Sequence, residues 1–207
     1  MLASIGVATL VYRYERMRKQ ADKLIQSLAF YDALTKLPNR LLLNDRLEQT
    51  IAASKRSGQY GSLMFIDLDN FKSLNDEHGH SVGDLLLIEV SRRINVCLRE
   101  IDTVARLGGD EFVVVLSELG ENKTDSTVQA RRIAQKINIC LAEPYLLTPM
   151  QEGNKSTTVA HHCTASIGVV MFSGETNMKK ILHLADMAMY QAKEDGRNTS
   201  HFYTPNA

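Results

Sequence analysis

The chain carries the sequence Arg106-Leu-Gly-Gly-Asp-Glu-Phe112 between two apolar runs, Thr103-Val-Ala-Arg-Leu107 and Phe112-Val-Val-Val-Leu116. Both runs are rich in β-branched residues, which favours strands. Gly108 and Gly109 supply the positive φ angles that a tight hairpin turn requires. The sequence therefore predicts a β-hairpin with Asp110 and Glu111 at its tip or just past it. Taken alone, these acids are equally compatible with an ordinary solvated turn.

Composition is typical of one globular domain with an appendage, at 207 residues with 44% hydrophobic and 23% charged residues. Basic and acidic residues balance at 24 each, so no net positive field indicates a nucleic-acid partner. Cys97, Cys140 and Cys163 are not closely paired, which favours a reducing compartment over a disulfide framework. His161-His162-Cys163 is a poor metal site because neighbouring strand residues point to opposite faces. We therefore expect a cytoplasmic protein.

The N-terminal residues 1–12 are apolar or small, and basic residues follow them from Arg13 to Lys19. This order resembles the inner end of a transmembrane helix, although the run is shorter than the ~20 residues that span a bilayer. It predicts a membrane stub that would tether the protein to the cytoplasmic face of the inner membrane. The start of a plain amphipathic helix is the alternative. A signal peptide fits less well, because the charges follow the apolar run.

A heptad-like stripe then runs through the first thirty residues, at Leu10, Tyr14, Met17, Ala21, Leu24 and Leu28. It predicts a parallel two-helix coiled coil and hence a homodimer formed through the N-terminal helix. The stripe covers fewer than three heptads, so a helix that packs on its own domain is the alternative. We expect residues 1–30 to form this signalling helix and residues 31–207 to form the main domain.

The main domain reads as interleaved helices and strands. Pro38 ends one helix and Asn39 caps the next, which should run from about Arg40 to Ser57. Its expected apolar face is Leu43, Leu47, Ile51 and Ala52. Further strands are predicted at 61–67, 163–172 and 200–203, with a short edge strand at 145–147, and helices at 70–79, 81–99, 128–141 and 178–194. The helix at 81–99 should bury Leu85, Ile88, Val90 or Ser91, and Ile94. This order predicts a mixed central β-sheet with helices on both faces, an α/β (α+β) fold.

Carboxylates end the predicted central strand at Asp67-Leu-Asp69. If this strand neighbours the hairpin, three or four carboxylates converge, with Asp69 as the fourth beside Asp67 and the two hairpin acids, and such a group needs a shared cation. Hard oxygen ligands suit Mg²⁺, and two ions ~4 Å apart serve displacement at phosphorus. A calcium-binding EF-hand is excluded, because Phe71 and Lys72 occupy positions that need a ligand and a glycine.

Several separated motifs together resemble the GGDEF family of diguanylate cyclases, from about Tyr31 to Tyr203. They are Asp32-Ala-Leu-Thr-Lys-Leu-Pro-Asn-Arg40, Phe65-Ile-Asp-Leu-Asp-Asn-Phe-Lys72, Asn75, Gly79, His80, Gly83, Asp84, Arg106-Leu-Gly-Gly-Asp-Glu-Phe112, Thr164-Ala-Ser-Ile-Gly168, Ala185-Asp-Met-Ala-Met-Tyr-Gln-Ala-Lys193 and Gly196-Arg-Asn198. The resemblance implies the nucleotidyl-cyclase, or palm-like, form of the mixed sheet.

The resemblance also implies a reaction. Two GTP molecules would be joined into cyclic di-GMP with release of two pyrophosphates, each 3′-hydroxyl attacking the α-phosphate of the GTP on the other subunit of a dimer. Mg²⁺ or Mn²⁺, two ions per GTP, would be held by Asp67, the Leu68 carbonyl, Asp110 and Glu111. Either Asp110 or Glu111 would be the catalytic base. The implied substrate-binding residues are Phe71, Lys72, Asn75, His80, Asp84, Gly108, Gly109, Lys193 and Arg197.

Within that set the resemblance gives particular roles. Asn75 and Asp84 would read guanine, and Lys193 and Arg197 would hold phosphates. From the residues alone, Asn75 and Asp84 could also be helix caps. Lys193 and Arg197 could simply be positive charges that compensate a helix C-terminus. Two other functions remain open, a catalytically silent domain that binds GTP or cyclic di-GMP, and a cyclase that uses ATP. A sensor domain or membrane segment upstream would supply the signal.

A further motif, Arg99-Glu-Ile-Asp102, precedes the hairpin. By resemblance, Arg99 and Asp102 would bind the product cyclic di-GMP and inhibit the enzyme. The alternative is an arginine at a helix end paired with an aspartate in the following turn.

Overall fold

The computed structural model describes residues 13–19, 28–149, 157–174 and 177–204. Residues 13–19 are helical, and the side chains of Tyr14, Met17 and Leu28 are exposed. The stub at 1–12 and the stripe residues Leu10, Ala21 and Leu24 lie outside the described residues, so the coiled coil stays a prediction. In the described ranges, no helix has the length and apolar character needed to cross a membrane.

The described part of the main domain contains five helices and seven strands. The helices are α1 Arg40–Ser57, α2 Phe71–His78, α3 His80–Cys97, α4 Lys123–Ala142 and α5 Met178–Glu194. The strands are β1 Gly61–Leu68, β2 Thr103–Gly108, β3 Glu111–Leu116, β4 Tyr145–Leu147, β5 Val159–His161, β6 Ala165–Phe172 and β7 Ser200–Phe202.

Five strands form the central sheet in the order β2-β3-β1-β6-β7. The β6–β7 pair is parallel and the other pairs are antiparallel, which confirms the predicted mixed sheet. All eight residues of β1 are buried, as expected for a central strand with helices on both faces. The predicted strand at 145–147 pairs with β5 in a separate two-stranded sheet.

The two faces of the sheet are covered by different helices. α1 and α5 cover one face, with Leu43, Leu63 and Phe65 among the core residues. α2, α3 and α4 cover the other face, where Met64 and Ile66 are buried. Because side chains alternate along β1, Asp67 lies on the α1/α5 face together with Phe65. The position of Asp67 in the sheet thus decides which helices can reach it.

Local sequence signals explain most helix ends. The side chain of Asn39 accepts hydrogen bonds from the amides of Leu41 and Leu42, so the predicted start of α1 is confirmed. Asn122 caps α4 in the same way, and this helix therefore begins five residues before the expected apolar segment. Met178–Glu194 has the predicted bounds.

Two predictions of buried side chains were wrong. Ala52 is exposed at the outer edge of α1, where Ser54 is buried instead. Ile88 is exposed on α3, while Leu86 and Leu87 are buried. Four consecutive apolar residues at 85–88 extend around more than half of the helix, so periodicity alone could not select the buried side.

Candidate active site

The predicted hairpin is confirmed. β2 ends at Gly108, β3 begins at Glu111, and the turn between them is Gly109-Asp110. Gly108 and Gly109 have φ angles of 144° and 52°, values that favour glycine. The strand register shifts between Arg106 and Gly108, so that Gly108 pairs with Glu111. The hairpin therefore presents both acids at its tip.

β1 brings a third acid to this tip. Asp67 is the direct register partner of Glu111 in the antiparallel β1–β3 pair. The amide of Leu68 donates a hydrogen bond to the Asp110 carbonyl oxygen at 3.3 Å. The four residues expected to hold a metal are thus brought together at one end of the sheet. We call the side chains of Asp67, Asp110 and Glu111 the acid cluster.

The acid cluster lacks sufficient compensating charge. Burial raises the pKa of Asp67, and the charges of Asp110 and Asp69 raise it further, although Lys193 Nζ lies 2.8 Å from Asp67 Oδ1. Burial also raises the pKa of Glu111, with added repulsion from Asp67 and Asp110 that Arg40 only partly offsets. Crowded carboxylates of this kind are stabilised by a cation. The donor set therefore fits a divalent metal ion.

Within the described ranges, no three acid, histidine or cysteine side chains are arranged as a closed metal cage. A cage of that kind is not what Mg²⁺ needs, because this ion usually takes one or two protein carboxylates and completes its shell with water and phosphate oxygens. Asp67, Asp110 and Glu111, with the Leu68 carbonyl, would supply the protein ligands. This arrangement fits an ion that arrives together with a nucleotide.

Asp69, the fourth carboxylate that the sequence left open, does not belong to the acid cluster. Its carboxylate accepts hydrogen bonds from Thr164 Oγ1 at 2.6 Å, Ser166 Oγ at 2.7 Å and the Asn198 amide at 3.1 Å. These partners saturate a buried acid and join β1 to β6 and to the turn after α5. Asp69 is therefore a structural carboxylate.

The turn after α5 carries the expected phosphate ligands. Gly196, Arg197 and Asn198 all have positive φ angles, of 107°, 64° and 47°. Left-handed backbone costs a residue other than glycine ~1–2 kcal/mol, and such strain is often found at functional sites. The Asn198–Asp69 hydrogen bond holds the turn in place. Arg197 is exposed, whereas Lys193 is already paired with Asp67.

On the other face, the expected guanine ligands lie on α2 and α3. Asn75 Oδ1 is buried and has no hydrogen-bond partner. A β-carbon at position 83 would overlap this oxygen, so Gly83 is what lets the amide occupy its place. The N-cap of α3 is Gly79, so Asp84 is not a helix cap. An unsatisfied buried oxygen favours a ligand that brings its own donor.

Comparison with known proteins places these features in a family. The family model described as "Diguanylate cyclase, GGDEF domain" matches residues 29–199. The chain belongs to the GGDEF family.

Sequence relatives and solved structures support the same family assignment. The chain is 40% identical over 185 residues to the bifunctional diguanylate cyclase/cyclic di-GMP phosphodiesterase MucR of Pseudomonas aeruginosa, covering 89% of this chain and 25% of MucR. It is 38% identical over 167 residues to the diguanylate cyclase DosC of Escherichia coli, covering 81% of this chain and 34% of DosC. The chain thus spans about a quarter to a third of these two relatives.

Among solved structures, the GGDEF domain of YfiN (TpbB) from Pseudomonas aeruginosa aligns with a TM-score of 0.72 at 36% identity, covering 83% of this chain and 99% of that one. The coiled coil and GGDEF domain of DgcB from Caulobacter crescentus, in complex with c-di-GMP, aligns with a TM-score of 0.79 at 24% identity. That alignment covers 98% of this chain and all of the other. At this identity the likeness to DgcB concerns the fold alone.

In this GGDEF domain the motif at 99–102 forms a closed pair. The backbone amide, Nε and Nη2 of Arg99 lie 3.0, 3.3 and 3.2 Å from the Asp102 carboxylate, and Nη2 also donates to the Ser117 carbonyl at 2.8 Å. A cavity of about 420 Å³ lies beside Asp102 and is lined in part by Arg46. The geometry matches the helix-end pairing, and it also leaves room for a ligand next to the pair.

Sequence reasoning gave Arg106 no role, although its guanidinium holds the hairpin. Nη1 lies 3.0 and 3.2 Å from the two oxygens of Asp32, while Nε and Nη2 donate to the Gly109 carbonyl at 3.0 and 2.8 Å. The Arg106 amide also donates to the Pro38 carbonyl. The first segment of the domain is therefore bonded directly to the turn that carries Asp110. The available signal was an arginine two residues before the glycine pair.

Proposed function

We propose that this GGDEF domain is an active diguanylate cyclase that joins two GTP molecules into cyclic di-GMP and releases two pyrophosphates. The observation that carries the proposal is the acid cluster. Three carboxylates with too little positive charge meet at the end of a central strand, and Lys193 already lies beside them. Such a group suits a divalent ion and the triphosphate of a nucleotide.

Each part of the substrate has residues that suit it. Asn75 and Asp84 would read guanine, with His80 and Phe71 beside them. The buried Asn75 oxygen would reject a base without the matching donor, and the exposed Asp84 carboxylate would accept from the base edge. Lys72, Lys193 and Arg197 would bind the phosphates, and Gly108 and Gly109 would let them approach the backbone. Mg²⁺ or Mn²⁺, two ions per GTP, would neutralise charge on the phosphate oxygens.

The chemical step needs a base and a second nucleotide. Asp110 or Glu111 would accept the proton of the 3′-hydroxyl, and the freed oxygen would attack the α-phosphate of a GTP held by a second subunit. One hairpin serves one GTP, so the reaction requires a dimer. The exposed Tyr14 and Met17 on the N-terminal helix support such pairing through that helix.

Regulation by product is part of the proposal. Cyclic di-GMP would bind at Arg99 and Asp102, next to the cavity that Asp102 lines, and its phosphates would compete with Asp102 for the Arg99 guanidinium. Arg46, which lines that cavity, would add a second positive charge. Arg99→Ala should relieve inhibition by added cyclic di-GMP and leave GTP affinity unchanged.

The test is incubation of purified protein with GTP and Mg²⁺, followed by mass spectrometry of the products. Cyclic di-GMP should form with the native chain and with Asp45→Ala, an exposed acid on α1, and should be lost with Asp110→Ala. A native chain that binds GTP without turnover would instead be a silent binding module. Equal product from Asp110→Ala and the native chain would show that the acid cluster takes no part in the mechanism. Adding ATP as a competitor tests whether the enzyme selects guanine over adenine.

A further inference from the structure

The outer surface of α5 carries four exposed side chains in one line. His183, Met187, Tyr190 and Glu194, which we call the α5 stripe, fall within a sector of about 60° at about 100° per helical residue. Met187 is 51% exposed and Tyr190 is 62% exposed. Large apolar and aromatic side chains at such exposure are typical of contact surfaces.

α5 presents this stripe on a firm support. Its opposite side is buried on the sheet through Ile181, Ala185, Ala188, Met189 and Ala192. The helix backbone lies so close to β6 that a β-carbon at Gly168 would overlap Ala185 and Met189. The stripe is therefore a fixed surface feature, and ordering it on contact costs little conformational entropy.

The order of residues in the α5 stripe is self-complementary. His183 and Glu194 lie at its ends, Met187 and Tyr190 lie in its middle, and both pairs are centred on the same point between Ala188 and Met189. A second α5 placed antiparallel would set His183 opposite the partner's Glu194 and Met187 opposite the partner's Tyr190. A two-fold contact requires this reciprocity. In the part of the chain that the structure describes, no ion pair occupies His183 or Glu194.

The α5 stripe adjoins the acid cluster. Lys193, next to Glu194, is the residue that contacts Asp67. His183 and Asp186 line a cavity of about 280 Å³ together with Arg40 and Glu111. Lys193 and Asp186 lie on the same flank of α5, so a two-fold axis at the middle of the stripe would set both acid clusters on one side of the paired helices.

We propose that the α5 stripe is the surface through which a second copy of this chain, carrying its own GTP, contacts the first during the reaction. The proposal rests on the proposed function, because one acid cluster with one GTP is only half of that site. One helix pair buries less than the ~1,000 Å² expected of a stable interface. The contact would thus form between subunits already held together elsewhere, and it would break again to release product.

Engineered disulfides test the contact without relying on catalysis. The variant Met187→Cys with Tyr190→Cys should form a chain-to-chain disulfide under mild oxidation by glutathione disulfide, seen as a dimer on non-reducing gels. The matched control is Asp45→Cys with Glu48→Cys, an exposed pair at the same spacing on α1. Strong cross-linking of the stripe variant over the control supports the proposal, and equal cross-linking overturns it.

Charge reversal supplies a second test. His183→Glu would place like charges opposite each other and should lower product formation, and adding Glu194→Lys to the same chain should restore it. Affinity for a non-hydrolysable GTP analogue should stay unchanged in both variants. Lack of rescue in the double variant would overturn the contact. If the double cysteine variant cross-links through the stripe while the native chain makes no cyclic di-GMP, the proposed function is refuted and the contact still stands.

Discussion

Asp67 and Asp69 lie two residues apart at the end of one strand, yet their surroundings are opposite. Asp67 meets two other acids and a single lysine, and burial raises its pKa. Asp69 is also buried but accepts three hydrogen bonds from Thr164, Ser166 and Asn198, a set we call the Asp69 socket. The socket already supplies donors to both oxygens of this carboxylate. Donor count, more than burial, therefore separates a structural carboxylate from one that suits a cation.

Two other acids follow the pattern of the Asp69 socket. Asp32 accepts from the amide and hydroxyl of Thr35 and from Arg106. Asp102 is wholly buried and accepts from Arg99 and from the Ser117 amide. Asp69, Asp32 and Asp102 thus each have donors around them, and the acid cluster differs from all three. Buried charge is tolerated where donors surround it, and the cluster lacks them.

The largest expected effect is the loss of activity in Asp67→Asn. The amide keeps the shape of the side chain but removes the charge that would hold a cation, so product formation should fall by at least ~100-fold, as for other charged or polar groups that stabilise a transition state. The fold should survive, because the strand pairing of β1 does not depend on this carboxylate. Product analysis and circular dichroism measure the two effects. Activity near that of the native chain would show that the acid cluster does not bind the reacting groups.

Asp69→Ala should have the opposite profile. Removing the carboxylate leaves the buried Ser166 hydroxyl, the part-buried Thr164 hydroxyl and the Asn198 amide without their acceptor, and this should lower the free energy of unfolding by ~2–4 kcal/mol. Urea denaturation measures the change. Thr164→Val is the matched control, since it removes only one donor and should cost ~1 kcal/mol. If Asp69→Ala were as stable as the control, the socket would not be a structural unit.

The contrast also explains which parts of the site could be predicted from sequence. Asp67 and the hairpin acids stand out because local patterns place them, one at the end of an apolar strand and two after a glycine pair. The donors of Asp69 are 95, 97 and 129 residues further along the chain, and no local pattern connects them. The Asp32–Arg106 pair could not be predicted for the same reason, because its residues are 74 positions apart in the chain.

The fold shows a similar division. Helices α1 and α5 and the central strand β1 were predicted closely, because caps and apolar periodicity mark their ends. The separate β4–β5 sheet could not be foreseen, since Tyr145–Leu147 has the composition of an edge strand in either sheet. The prediction that Ile88 is buried on α3 was wrong, because the tertiary neighbours decide which residues of an apolar run are buried.

Asp32→Asn should have an intermediate effect that depends on pH. Burial opposes ionisation of Asp32, but hydrogen bonds from Thr35 and Arg106 outweigh it and lower its pKa. A lowered pKa contributes stability above the ordinary value of 3.8, and this is lost as the pH falls through the folded-state pKa. At neutral pH the free energy of unfolding of the variant should be lower by ~1 kcal/mol, a small change because the pair is partly exposed. Urea denaturation at pH values from neutral to below 3.8 should show the gap closing, and a gap independent of pH would contradict the role of the charge.

The smallest effect is expected from Glu111→Gln, which should raise the free energy of unfolding where Asp69→Ala and Asp32→Asn lower it. Because burial and the charges of Asp67 and Asp110 raise the pKa of Glu111, the stability linked to its protonated form is present below the ordinary value of 4.5 and lost as the pH rises through the folded-state pKa. Without divalent metal at neutral pH, the neutral variant should therefore be more stable, by a few tenths of a kcal/mol (about 0.3) after allowance for solvent screening. Thermal unfolding with and without Mg²⁺ measures both parts of the argument. The ion should raise the midpoint of the native chain more than that of the variant, whereas equal shifts would place Glu111 outside the cation site. A carboxylate that weakens the fold until a cation arrives is the reverse of Asp69, whose donors are already in place.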